Sequence, residues 1–143
     1  MNYYLISFNA EGLSTYFFDK IFSDQILMLG WSDTIEKRFN ELNNGDILLA
    51  VRRQQMKYTC CFIGTISKDK SFNINEFLCR KLKNFIDLRN YPNNLNILEG
   101  ASFEEMKCLF EMIKIDESKN YDTINRINQI IAESEQNSDI KKF

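Results

Sequence analysis

A chain of 143 residues, 44% hydrophobic and 27% charged, has material for one packed core without disulfide or metal staples. Its net charge of −2 excludes capture of a polyanion by bulk charge alone, and its composition argues against global disorder. No apolar run approaches the ~20 residues of a membrane-spanning helix, and the opening MNYYLISF lacks the marks of a signal peptide, so a cytoplasmic protein with no membrane partner is expected.

In chain order, Tyr3 to Phe8 is β-branched or aromatic and reads as a buried first strand. From Leu13 to Phe22 the aromatics Tyr16, Phe17 and Phe22 stand at near-helical spacing, which fits a short helix or an irregular packed segment. Ile26 to Leu29 is a short apolar run that ends at Gly30 as a second strand. Ser32 or Asp33 can cap a helix that runs through Leu42 with Ile35, Phe39 and Leu42 on one face. Asn43-Asn44-Gly45 stops it, the Gly or Asn suiting a left-handed C-terminal position.

Asp46 opens a strand to Arg52-Arg53. Gln54 to Lys57 is a polar connection, and Tyr58 to Ile66 pairs back as a hairpin. Ser67 to Ser71 is a charged turn. Ile74, Phe77, Leu78, Leu82, Phe85 and Ile86 then recur at helical spacing and predict a helix of about three turns. Arg89 to Asn96 reads as a loop, and Leu95 to Leu98 as one more short strand. Ser102 and Glu105 form a capping box for a helix carrying Phe103, Met106, Leu109, Phe110 and Ile113. A last amphipathic helix holds Ile124, Ile127, Ile130 and Ile131. The expectation is one α+β domain over residues 1–133, with flanking helices and a helical C-terminal segment, and a polar, fraying tail over 134–143.

Four cysteines do not suggest a disulfide framework. Cys60 and Cys61 are neighbours on a strand and point to opposite faces, while Cys79 and Cys108 stand singly. With no His and no CxxC pair, no metal and no cofactor are expected, and the thiols read as small buried hydrophobes. Charge is blocked along the chain: residues 1–51 carry net −4, residues 52–89 net +6, and the remainder net −4. That middle block is either a solvated mixed surface or a basic face for a polyanion.

The ordered set "LMLGWSD … ELNNGDILLAV … CFIGTI" carries a family resemblance over roughly Tyr3 to Ile66. It resembles the PUA-like superfamily, closest to EVE-type and YTH-like modules and to sensor domains of modification-dependent restriction systems. The resemblance implies a small PUA-like β-barrel or strongly bent mixed sheet. It also implies a reader that holds an extruded, modified base of DNA or RNA in an aromatic pocket, in restriction, phage defence or RNA modification. Mapped onto this chain, Trp31 would stack on the base, Ser32 and Asp33 would read an edge, and Arg52 and Arg53 would take phosphate. Lys57, Lys68 and Lys70 would follow the backbone.

Each residue has a plainer role beside the functional one. Trp31 can be a core residue, Ser32 and Asp33 a helix cap, and Asp46 a turn residue that satisfies backbone donors. Arg52 and Arg53 can serve to solubilise a hairpin tip, and Phe17, Phe18 and Phe22 can be core. Catalysis finds little support, because His is absent and no P-loop, GxGxxG or GxSxG occurs. An ASCH-like hydrolase acting through Lys, Tyr and Glu remains the enzymatic alternative. Two non-enzymatic alternatives are a sensor of a free nucleotide or other small molecule, and an interaction subunit that binds a protein through Phe103, Phe110 and the isoleucine stripe.

Overall fold

A computed structural model of the chain describes residues 1–9, 15–54, 57–91, 97–98 and 112–141. In chain order the elements are β1 (Tyr3–Asn9), α1 (Thr15–Asp24), β2 (Ile26–Gly30), α2 (Asp33–Glu41), β3 (Ile47–Gln54), β4 (Lys57–Ile66), β5 (Phe72–Ile74), β6 (Phe77–Asp87), β7 (Met112–Lys114) and α3 (Tyr121–Lys141). The strands form one curled mixed sheet in the order β2-β6-β4-β3-β1-β7, with β5 paired to β6. Among the described strands only β1 and β3 are parallel, so the chain must cross over between them, and α1, β2 and α2 make that crossing. The α+β architecture and bent sheet expected from the sequence are present.

The central strands are covered on both sides, which explains why their apolar runs are nearly unbroken. Tyr4, Ile6, Phe8, Leu48, Ala50 and Phe62 face a core closed by β2, by Ile21 of α1 and by Ile35 and Phe39 of α2. Tyr3, Leu5, Ile47, Leu49, Val51, Cys60 and Ile63 face a second core closed by Ile124, Ile127 and Ile130 of α3. Burying each of those isoleucines is worth about 1.5–3 kcal/mol. Hydrogen bonds fix the helix further: Tyr3 donates its hydroxyl to Asn128 Oδ1 (2.7 Å), and Tyr91 donates to Glu133 Oε2 (3.0 Å).

Two bulges bend the sheet. On β4, Ala50 pairs with Phe62 and Val51 with Cys60, so Cys61 is an extra residue. Cys61 and Phe62 therefore face the same core, whereas Cys60 and Ile63 face the other. On β6, Ile86 pairs with Ile63 and Lys83 with Thr65, which sets Asn84 and Phe85 against Gly64 alone. Asn84 takes φ 52°, the left-handed conformation that suits a bulge. A Cβ on Gly64 would stand 2.8 Å from Leu82 Cδ1, so any larger residue there has to displace the Leu82 side chain.

Four expectations need correction. The stretch from Ile74 to Ile86 is no helix; it forms β5, a turn at Asn75-Glu76 (Asn75 φ 54°) and β6. The first half of β6 pairs with β2 and β5 and the second half with β4. A strand that changes neighbours and carries a bulge loses strict alternation, and its apolar positions then mimic a helical period. Second, Ile113 belongs to β7, antiparallel to β1, so no helix from Ser102 reaches it. Phe103, Met106, Cys108, Leu109 and Phe110 lie outside the described residues. Third, Ile97 and Leu98 sit in a single helical turn rather than a strand. Finally, α3 continues past Glu133 to Lys141, so residues 134–141 of the expected tail extend the helix.

Candidate functional site

The aromatic cleft lies where β2 ends. Gly30 pairs with Phe77 across the sheet, and the Trp31 N–H donates to Glu76 O (3.0 Å), fixing the chain against the β5–β6 turn. Ser32 is then the N-cap of α2, its Oγ accepting from the Ile35 N–H at 3.1 Å. Asp33 and Glu36 fall in the first helical turn, where acidic side chains complement the helix dipole. Between strand end and turn opens a cavity of about 630 Å³ lined by Gly30, Trp31, Asn73, Glu76 and Phe77. Trp31 is 56% exposed and so is no core residue. Its Nε1–H donates to Glu36 Oε2 at 3.3 Å, which holds the indole at the mouth.

Gly30 shapes this cleft by what it lacks. A Cβ there would meet nothing within 4 Å, so open space faces the position. The mouth is acidic: Glu76 lines it and Glu36, which accepts the Trp31 Nε1–H, is exposed beside it. Lys68 and Lys70 are exposed on the turn that leads into β5, the strand that carries Asn73. Arg80 braces that turn from beneath, donating to Asp69 O (3.1 Å), Ser67 O (3.5 Å) and Leu42 O (3.2 Å).

The other half of the expected site stands elsewhere. Phe77 and Asp87 close opposite ends of β6, and ten residues of strand span up to about 33 Å. Arg52 belongs to the far end: its neighbour strand carries Phe62, which pairs with Asp87. The Arg52 guanidinium lies 5.1 Å from the centre of the Phe18 ring. Beside it Arg89 lies 3.7 Å over Phe22 and binds Asp87 (2.8 Å between Nη2 and Oδ2), which holds the Asp87 carboxyl below the usual carboxylate range. Phe22, Phe62 and Phe85 form a compact cluster, with Phe62 and Phe85 stacked at 4.8 Å. The backbones of Arg53 and Lys57 are at this end too, and their side chains lie outside the described residues.

The structure thus gathers Trp31, Ser32 and Asp33, sets Lys68 and Lys70 on the turn before β5, beside Arg80 and Lys81 and three to four residues along β6 from the cleft, and separates Arg52 from all of them. Asn73, Glu76 and Phe77 were not legible as cleft walls, because the apolar spacing from Ile74 onward reads as a helix and Asn73 precedes it. The usable signal was Asn75-Glu76 between the alternating Phe72-Asn73-Ile74 and the apolar Phe77-Leu78, a turn rather than a helix. Asp46 has its plainer role: buried, it accepts from the Asn2 N–H (3.0 Å) and the Asn43 N–H (2.8 Å).

The thiols are poor nucleophiles. Burial pushes Cys60 up to about 12 and Cys61 to about 11, with Arg52 and Arg89 pulling Cys61 part of the way back. Cys60, Cys61 and Cys79 are free and buried, and among the described residues no cluster of acidic or thiol side chains is arranged to hold a metal. Among those residues no helix is long and apolar enough to cross a membrane. The isoleucine stripe of α3 is spent on the second core, so it is not available to a partner. No protein-family model and no curated protein sequence matches this chain.

Proposed function

We propose that this chain is a binding module that takes a planar base of a nucleic acid into the Trp31–Phe77 cleft. The observation that carries the reading is Trp31 itself, held half-exposed beside a cavity of about 630 Å³ that has a second aromatic, an amide and a carboxylate in its walls. Stacking on an aromatic is worth about 1–3 kcal/mol per base, enough to offset the few kcal/mol of extruding it from a duplex. Lys68 and Lys70 supply charge for the attached phosphate. The resemblance of residues 3–66 to PUA-like readers supports a modified base as the ligand and a setting in restriction or phage defence.

The test is quenching of Trp31 fluorescence by single- and double-stranded oligonucleotides, unmodified, methylated and hydroxymethylated, at low and moderate salt. Gly30→Leu places a side chain in the cleft wall, where a Cβ meets nothing within 4 Å, and is expected to weaken or abolish quenching while melting like the parent. Absence of binding to every oligonucleotide at low salt, where phosphate contacts are strongest, would overturn the proposal.

A free nucleotide is the second reading, favoured by the distance between the cleft and Arg52. A mononucleotide cannot reach both. Its affinity would fall shallowly with salt and would not grow with oligonucleotide length.

A further inference from the structure

The acidic mouth of the cleft bears on which base it accepts. Glu76 lines it and Glu36, which accepts the Trp31 Nε1–H, is exposed beside it; among the described residues neither is in a salt bridge. A neutral methylated adenine would leave these carboxylates facing an uncharged ring. A cationic ring would instead stack on the exposed indole of Trp31 with the Glu76 carboxylate near its edge. Ionised Glu is acceptor-only, so Glu76 suits an edge that presents N–H donors, as guanine does through N1 and its exocyclic amine. Lys68 and Lys70, on the segment that leads to Asn73, add a reason for a phosphate on the same ligand, which a methylated lysine or arginine peptide does not offer.

We infer that the cleft selects a cationic, ring-methylated purine nucleotide, of the 7-methylguanine type, over its neutral counterparts. This rests on the cleft being a base-binding site, as proposed above.

The experiment compares 7-methylguanosine 5′-monophosphate, guanosine 5′-monophosphate and N6-methyladenosine 5′-monophosphate by Trp31 quenching and by calorimetry, on the full chain at neutral pH. The methylated guanine nucleotide is expected to bind at least about tenfold more tightly than guanosine monophosphate, the scale of a cation–π contact. Glu76→Gln should remove most of that preference while leaving weak binding, because the backbone carbonyl that receives Trp31 N–H is unchanged. If N6-methyladenosine monophosphate binds as tightly or more tightly, or Glu76→Gln leaves the preference intact, the inference fails and base binding stands. If none of the three binds and the oligonucleotides are also silent, base binding itself fails.

Discussion

The two ends of β6 use the same materials to opposite effect. At the far end, where Asp87 closes the strand, aromatic rings and charges satisfy one another: Phe22, Phe62 and Phe85 pack edge and face, and Arg89 is stacked on Phe22 and tied to Asp87. At the Phe77 end an indole and a phenyl ring flank an open cavity, and the Glu36 and Glu76 carboxylates stand there without a cationic partner among the described residues. Aromatic content alone does not mark a binding site. What separates the ends is that Trp31 and Phe77 border an open cavity, whereas the rings at the far end pack on one another.

That contrast can be broken by measuring stability at each end. Phe62→Ala should cost about 3–5 kcal/mol in denaturant unfolding, the range for losing a buried aromatic, because Phe62 is fully buried and touches two other rings. Gly64→Ala should cost about 1–3 kcal/mol by overpacking against Leu82. Trp31→Ala at the open end should cost no more than about 1 kcal/mol, since a surface substitution removes little burial. A loss at Trp31 as large as at Phe62 would make the cleft a structural joint instead of an empty site.

The smallest effect sharpens the comparison through pH. Arg89→Ala should destabilise by no more than about 1 kcal/mol, because both partners of its ion pair are well exposed and screened. The Asp87 carboxyl is depressed in the folded state, so its contribution is present above the unfolded carboxylate pKa and fades as pH falls through the folded value. The parent and Arg89→Ala unfolding curves should therefore converge below about pH 4. A gap that persists in acid would assign the effect to Arg89 stacking on Phe22 and not to the ion pair.

Much of the first half was legible from sequence. The β3–β4 hairpin, the Ser32 cap and the strand ending at Gly30 each had a local signal, namely two apolar runs joined by a polar connection, a capping hydroxyl or a terminal glycine. Gly45 takes the positive φ (95°) expected near the end of α2, though in the turn beyond the Leu42 cap. β6 was illegible because its pattern is written by three different neighbours, and no local window contains them. The grouping of Arg52 with Trp31 failed for the same reason: proximity across a sheet depends on strand length and order, and a misread strand hides both. Trp31 stood out in the sequence as the single tryptophan after a strand-ending glycine, but its exposure and the carboxylates beside it were not legible.

The two bulges also decide where this chain can change length. Side chains alternate along a strand, so inserting or deleting one residue normally exchanges the faces of everything beyond it. Cys61 and Asn84 are exceptions. Taking out either leaves Cys60, Phe62 and Ile63, or Leu82, Lys83, Phe85 and Ile86, on the faces they already occupy. The parity of both cores is thus insulated from single-residue gaps at these two positions, and shorter versions of the sheet would lose curvature before they lost their assignment of inside and outside.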